Sequence, residues 1–390
     1  MSYVIAPDDL DQSAPVEPLK IGLLGKEEQT LKGFLTELVD SHPTKLTKDR
    51  KHALRDNYRL ILLNLLYNGS EGVYTAISRS SGAFSGGNYW ESTGLSYKNS
   101  RFVVDRLSDE GYLTVYPGFV KPSGFGRLTR LYPTEKLFER VPLADPSLIL
   151  DWTDTIVLKG FPYDASVLTK THPDRKRLEA INAFLKGFQW RLKSPIRLIY
   201  KNSPFSGGRL YTRFQNLPKA QRSVLTINNQ PTVELDYKGN HPRMVMAINK
   251  TTPTHDPYTD IAIAVGVTRG QAKAFVTRAV GSSDREKAFS ACKRHKINKP
   301  LFNRLEKATK QLIPNFPFYK SFGNILQSTE GQIALDVMYA GVKKGIPVLP
   351  VHDSFITLTE HEDWLRKEMT KQWKKHLKGY LPVIEVSHRN

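Results

Sequence analysis

With 390 residues and a net charge of +19, the chain has room for two or three domains and favours a polyanionic partner, because each neutralised phosphate releases condensed counterions. A single cysteine, Cys292, excludes an internal disulfide and a cysteine-rich zinc site and points to a reducing, intracellular setting, cytoplasmic or nucleoid-associated. No apolar run approaches membrane-spanning length and no secretory signal opens the chain, so no membrane partner is expected.

Residues 1–25 carry Pro7, Pro15 and Pro18 among scattered acids with little periodicity, which reads as a flexible arm. From Lys26 the pattern turns helical: Leu31, Phe34, Leu35 and Leu38 form one apolar face, and Leu60 to Leu66 another. Within a domain spanning 26–140, residues 58–135 follow the order of a winged helix-turn-helix. A helix from Tyr58 to Tyr67 leads through a Gly/Ser-rich insertion, Ser78 to Gly87, to the turn Glu91-Ser-Thr-Gly-Leu-Ser96 and a second helix from Lys98 to Glu110. Phe102, Val103 and Leu107 share the apolar face of that helix, which leaves Lys98, Asn99, Arg101 and Arg106 for DNA. Strand-like runs Tyr112 to Tyr116 and Arg127 to Tyr132 flank a loop with Lys121, Gly124 and Gly126, as a wing would be. Such modules also serve as docking domains, so the pattern admits DNA contact or protein contact.

Residues 141–200 read as a linker punctuated by Pro142, Pro146 and Pro162, followed by a basic amphipathic helix from Asp174 to Leu192 with Leu178, Ile181, Leu185 and Phe188 inward. A solvated scaffold helix and a thumb-like element both have this character. Next come Gly207-Gly-Arg-Leu-Tyr211, Gln215-Asn-Leu-Pro218 and Arg222. Gly207 and Gly208 permit close backbone approach, and Arg209 and Arg222 can each grip a phosphate through two N–H donors. In Thr232-Val-Glu-Leu-Asp-Tyr-Lys-Gly-Asn-His-Pro-Arg243 the alternation of Val233 and Leu235 predicts a half-buried strand that delivers Asp236 to its end. Gly239 allows a tight turn, and Pro242 suits the first turn of a short helix carrying Arg243.

Residues 268–281 predict a helix with Arg269, Lys273 and Thr277 on one face at four-residue steps, while Phe275 and Ala279 pack elsewhere. That ladder is either a clamp for a triphosphate or a solvated basic face. Between 268 and 310 stand twelve Lys/Arg against three acids, a balance that suits a nucleic-acid channel. A helix opening at Asn324 carries Gln327, whose amide both donates and accepts, and leads to Val348-Leu-Pro-Val-His-Asp-Ser-Phe355, a β-rich run that sets Asp353 in a tight turn. Pro347 and Pro350 make this an edge strand or an irregular one. Glu360 to Leu377 is an amphipathic helix with Leu365, Met369, Trp373 and Leu377 at four-residue steps.

Two carboxylates, each at a strand end, can share a pair of divalent cations, the minimum apparatus for transferring a nucleotidyl group. Asp236-Tyr237 with Arg243, and His352-Asp353-Ser354-Phe355, resemble the two aspartate motifs of the single-subunit, family A-like nucleic acid polymerases, the second in the spelling of bacteriophage RNA polymerases. The Gly-Arg, Gln-Asn-Leu-Pro and Arg series ahead of Asp236, the Arg269/Lys273 spacing and the run around Gln327 fall in that family's order, and the likeness covers about residues 201–377. It implies an α+β fold: a right-hand polymerase palm at 201–390 with a reduced fingers insertion at about 251–320, preceded by the winged helix-turn-helix domain and, at 141–200, the linker and thumb-like helix. It implies Asp236 and Asp353 as catalytic ligands of two Mg²⁺ ions, with Mn²⁺ as a substitute. Arg269, Lys273, Thr277, His241, Gln327 and Tyr237 would surround the nucleotide. Arg209, Arg222, Arg243 and His352 would follow nucleic acid, and Lys98, Asn99 and Arg101 would contact DNA. Two departures stand out. His241 occupies the place of a glutamate in DNA polymerases of the family, which leans sugar selection towards ribonucleotides, and Val280-Gly281 stands where an aromatic-Gly pair is expected.

The expected function is a template-directed nucleotidyltransferase, a compact RNA polymerase, primase or DNA polymerase of a mobile element or phage-like genome. Its partners would be a DNA template, nucleoside triphosphates and an RNA product or primer. The alternative is a non-catalytic DNA-binding replication initiator or transcriptional regulator. A metal-dependent nuclease is a third class, for which the motifs supply no additional carboxylate or histidine cluster.

Overall fold

In the computed structural model the apolar rhythm at Leu31, Phe34, Leu35 and Leu38 forms the buried face of a helix, and the description that follows covers residues 13–16, 25–85, 89–120, 122, 126–143, 150, 152, 155–159, 166–201, 203, 206–252 and 255–390. The chain is mixed α+β and divides into two units, residues 1–151 and 152–390.

In the first unit a short strand β1 (Ser13–Pro15) precedes α1 (Gly25–Asp40) and α2 (Lys48–Ser70). Helix α2 starts ten residues before Tyr58 because the Thr47 side chain accepts the Arg50 N–H and supplies an N-cap that the apolar pattern does not advertise. After β2 (Tyr74–Ile77) and the single turn α3 (Tyr89–Ser92), Ser96 caps α4 (Tyr97–Asp109) by accepting the Asn99 N–H, and Val103, Val104 and Leu107 are buried. The backbone N–H of Ser96 donates to Asn57 Oδ1 on α2 at 3.1 Å, which ties the two helices together. Strands β3 (Leu113–Tyr116), β4 (Phe119–Val120), β5 (Gly126–Arg127) and β6 (Thr129–Pro133) follow, then α5 (Glu135–Arg140). One sheet has the order β1-β2-β6-β3, and β4 and β5 make a separate antiparallel ladder. Lys121 and Gly124 of the expected wing, and Pro146 and Pro162 of the expected linker, lie outside the described residues, as do 1–12 and 17–24 of the expected arm.

In the second unit β7 (Ile156–Lys159), α6 (Ser166–Thr171), α7 (Arg175–Leu185), β8 (Arg197–Lys201) and β9 (Gly207–Tyr211) come first, with strand order β7-β8-β9. Helix α7 stops at Leu185, short of the expected Leu192. Gly187 is a poor helix former and Leu192 takes a left-handed backbone (φ 55°), so Phe188 is only half-buried. The turn α8 (Lys219–Arg222) leads to β10 (Thr232–Tyr237) and α9 (Asn240–Ile248). Residues 251–320 hold α10 (Pro257–Val265), α11 (Arg269–Gly281), α12 (Arg285–Cys292) and α13 (Lys299–Leu312), with no strand among the described residues. Then come α14 (Gly323–Lys344), β11 (Leu349–Val351), β12 (Ser354–Leu358), α15 (Glu362–His376) and β13 (Ile384–Arg389).

The sheet that matters for function is antiparallel, β11-β12-β10-β13, with the Asp236 strand in its middle and the Pro350 strand at its edge. Helix α15 packs on it through Leu365, Met369 and Trp373, and the Tyr237 hydroxyl donates to the Met369 carbonyl at 2.7 Å. No helix among the described residues is long and apolar enough to cross a membrane.

Candidate active site

Side chains alternate along β10, so Val233, Leu235 and Tyr237 share one face and Glu234 and Asp236 the other. The first face is core. The second opens into a cavity of about 340 Å³ lined by Asp236, Asp353, Glu385, Arg209, His241, His352, Tyr258, Arg269, Lys273 and Thr277, together with the turn 237–240.

Asp236 and Asp353 come together by strand pairing. Asp236 is the register partner of Ser354, the first residue of β12, and the Tyr237 N–H donates to the Asp353 carbonyl at 3.3 Å. His352 and Asp353 form the two-residue turn of the β11–β12 hairpin, with His352 at φ 59°, the left-handed backbone such turns require. Shielding from solvent raises the Asp236 carboxyl to about 8, with the neighbouring Asp353 and Glu234 adding to the effect. Asp353 is raised to about 6, again chiefly by shielding and then by Glu330. Among the described residues neither carboxylate has an ion-pair partner. Lys273 is the cation that opposes the shift at Asp236, and His241 and Arg209 oppose it at Asp353.

The opposite treatment of two nearby acids sets this pair apart. Glu330 on α14 is buried, yet its carboxyl is held low: burial pushes it up, and His241 and Arg209 outweigh that. Arg209 Nε lies 2.8 Å from Glu330 Oε1, His241 Nε2 lies 3.1 Å from Oε2, and Asn240 Nδ2 donates to Oε2 at 3.0 Å. This cluster exists because α14 touches β9 backbone to backbone. A Cβ on Gly331 would fall 1.8 Å from the Gly208 carbonyl oxygen, so only glycine lets Glu330 reach Arg209. Glu234 is likewise partnered, accepting from Ser354 Oγ at 2.6 Å and lying 3.2 Å from Arg222 Nε.

Across the cavity stands α11, whose Thr268 and Gln271 form a capping box. It brings Arg269, Lys273 and Thr277 to the cavity wall, while Phe275, Ala279 and Val280 are buried on other faces. Arg269 Nε is 2.5 Å from Asp256 Oδ2, and the Thr277 hydroxyl donates to the Lys273 carbonyl at 2.7 Å, so Thr277 has no donor left for an anion. His352 is pushed towards the neutral form by burial and by Arg209, and its ring meets Tyr211 edge-on at 5.9 Å.

Several residues expected at the site are engaged elsewhere. Tyr237 points into the core, 3% exposed and 4.9 Å from the Trp373 ring, because it alternates with Asp236 along the strand. Arg222 is committed to Glu234 and to the Leu217 carbonyl, and is absent from the cavity wall. Arg243 is buried and braces the backbone, donating from Nε to the Lys238 carbonyl at 2.9 Å and from Nη2 to the His255 carbonyl at 2.8 Å. Gln327 is half-buried one turn before Glu330 on α14 and does not line the cavity. In the first unit Lys98 and Arg101 are exposed and Asn99 half-buried, whereas Arg106 is tied to Glu110 at 2.5 Å and to the Ser41 carbonyl at 3.1 Å.

Sequence reasoning missed Glu330, Tyr258 and Glu385. Glu330 lies inside the helix-opening run that carries Gln327, and Tyr258 follows the cap-and-proline pair Asp256-Pro257, so both had a local signal. Glu385 is the register partner of Asp236 on β13 and pairs with Lys238 at 3.2 Å. Among the described residues no group of three or more His, Cys, Asp or Glu is arranged to hold a metal ion. No protein-family model matches this chain, and no curated protein matches it in sequence.

Proposed function

We propose that residues 152–390 form a template-directed nucleotidyltransferase of the right-hand polymerase type, with the β11-β12-β10-β13 sheet as palm and the helices of residues 251–320 as reduced fingers. One observation carries this reading: Asp236 and Asp353 share a cavity with no ion-pair partner among the described residues, facing a helix whose exposed ladder is cationic. Two acids held unpaired at such a cost need a positive ligand.

The donor set suits hard divalent cations, Mg²⁺ or Mn²⁺, because it is all oxygen. Asp236 and Asp353 would hold them. Two carboxylates fill only part of a coordination sphere, and Mg²⁺ commonly completes its shell with water and substrate phosphates. When bound, the ions lower the pKa of an attacking 3′-hydroxyl and offset the charge that develops on the phosphoryl oxygens. The protein's own groups do the rest. Arg269 and Lys273 stand where a polyphosphate chain would run, and Glu330 holds Arg209 and His241 in place beside Asp353, so both side chains are already oriented as charge develops.

In the same reading residues 1–151 contain a winged helix-turn-helix that contacts DNA. The order of α2, α4 and the β2-β6-β3 sheet supports it, as do Lys98 and Arg101, exposed at the start of α4. The test is a single-stranded template with NTPs or dNTPs, with and without primer, in Mg²⁺. Asp236→Ala and Asp353→Ala should each lower incorporation by about 10²–10³-fold or more while circular dichroism is unchanged. Full activity in either folded variant would remove the reading. DNA binding without incorporation by the parent chain would leave a replication initiator or regulator.

A further inference from the structure

Arg269 enters the cavity from the first turn of α11 with one edge of its guanidinium already held. Nε sits 2.5 Å from Asp256 Oδ2, and the guanidinium carbon lies 5.3 Å from the centre of the Tyr258 ring. Among the described residues neither Nη1 nor Nη2 has a hydrogen-bond partner. Asp256 is itself immobilised. It is the N-cap of α10, with Oδ1 accepting the Tyr258 N–H at 3.4 Å and Oδ2 accepting the Thr259 hydroxyl at 2.9 Å. Burial pushes its carboxyl up, and the bonds from Arg269 and Thr259 bring it below the usual value, so it stays charged.

The loop behind Asp256 is locked to the turn that follows Asp236. Gly239, at φ 60°, has Asp256 Oδ1 only 3.1 Å from where a Cβ would stand, and Arg243 bridges the Lys238 and His255 carbonyls at 2.9 and 2.8 Å. The strand end that carries Asp236 and the acid that grips Arg269 are therefore one hydrogen-bonded piece.

We infer that Asp256 is a positioning residue for an anionic substrate: by holding Nε it keeps Arg269 at the cavity wall with Nη1 and Nη2 presented to a triphosphate, in register with Asp236. The identity of the ligand rests on the nucleotidyltransferase reading; the geometry does not. Two effects oppose each other here. A carboxylate near a polyphosphate repels it, whereas anchoring a long, rotamer-rich arginine beforehand removes an ordering cost from binding. The sign of one substitution decides between them.

Asp256→Asn keeps the shape and the N-cap, since asparagine caps as well as aspartate, and removes the charge that holds Arg269. Full-length parent, Asp256→Asn, Arg269→Ala and the double variant are titrated with a fluorescent nucleoside triphosphate in Mg²⁺, and the same four are assayed for incorporation. Asp256→Asn should raise Kd and KM about tenfold with a smaller fall in kcat and an unchanged circular dichroism spectrum. It should have no effect in the Arg269→Ala background. Equal or tighter binding by Asp256→Asn overturns the inference, as does a loss that persists without Arg269 or a parent chain that binds no triphosphate. A parent that binds triphosphate but never incorporates it, with binding still weakened by Asp256→Asn, sinks the polymerase reading and leaves the positioning role in place.

Discussion

Replacing Asp236 by asparagine should make the metal-free protein more stable. The carboxyl stands at about 8 in the folded chain against an ordinary 3.8. At about 1.4 kcal/mol per pKa unit the ceiling on the cost is about 5–6 kcal/mol. The group keeps some contact with solvent, so about half of that, 2–3 kcal/mol, is the expected figure. The sign follows from proton linkage: the folded state holds the proton more tightly, so the contribution is complete below pH 4 and is lost as pH rises from about 4 to about 8. Metal-free parent should therefore weaken across that window, and Asp236→Asn should flatten the profile. At pH 8 the variant should melt about 5–10 °C higher, at about 2–4 °C per kcal/mol for a unit of this size. Mg²⁺ at a hundred times its Kd should return about 2.7 kcal/mol to the parent and little to the variant. Thermal melts at several pH values, with EDTA and with Mg²⁺, read all of this. A variant that melts lower at pH 8, or a Mg²⁺ shift of equal size in both proteins, would refute the idea that the pair is an uncompensated cation site.

Glu330→Gln removes the partner of Arg209 and His241 and should cost about 3–5 kcal/mol in urea denaturation, since it breaks a buried ion pair. Because Glu330 also raises Asp353, the acidic limb of the pH–activity profile should move to lower pH in that variant. Gly331→Ala would drive a Cβ into the Gly208 carbonyl and should destabilise by more than about 3 kcal/mol, whereas Gly33→Ala on α1, where a Cβ meets nothing within 4 Å, should stabilise by up to about 1 kcal/mol. Lys98→Ala and Arg101→Ala should each weaken DNA binding about equally across sequences and lower the salt slope by about one, measured by fluorescence anisotropy against salt.

What the sequence made legible was local. Alternation at Val233 and Leu235 located the strand end of Asp236, and Pro350 with the His-Asp turn located the hairpin of Asp353. Four-residue spacing brought Arg269, Lys273 and Thr277 onto one face, and the structure has them together at the cavity wall. The same period-2 logic, carried one residue further, would have sent Tyr237 to the core. The arginines were harder: Arg209, Arg222 and Arg243 all look like phosphate grips in one dimension. Their partners, Glu330, Glu234 and the Lys238 and His255 carbonyls, come from chain folding, and in the first case from a contact between Gly208 and Gly331. Strand β13, which carries Glu385, lies largely exposed at a sheet edge, so its weak alternation gave no comparable signal.

That distribution of arginines also bears on whether the acids form a site or a structural polar network. Four acids cluster on one side of β10 and its neighbours: Glu234, Asp236, Glu330 and Asp353. Folding assigns Arg222 to the first and Arg209 to the third, at 3.2 and 2.8 Å. Had the cluster served stability alone, the remaining two would be expected to carry partners as well, since an unpaired shielded charge costs more than a paired one returns. Instead Lys273 and Arg269 stand on the far wall, Arg269 held by Asp256, with the cavity between them and the two aspartates. Arg222 reaches the site only through Glu234, whereas Arg209 also lines the cavity. By engaging Glu234 and Glu330 they leave Asp236 and Asp353 as the members of this cluster that have no ion-pair partner among the described residues.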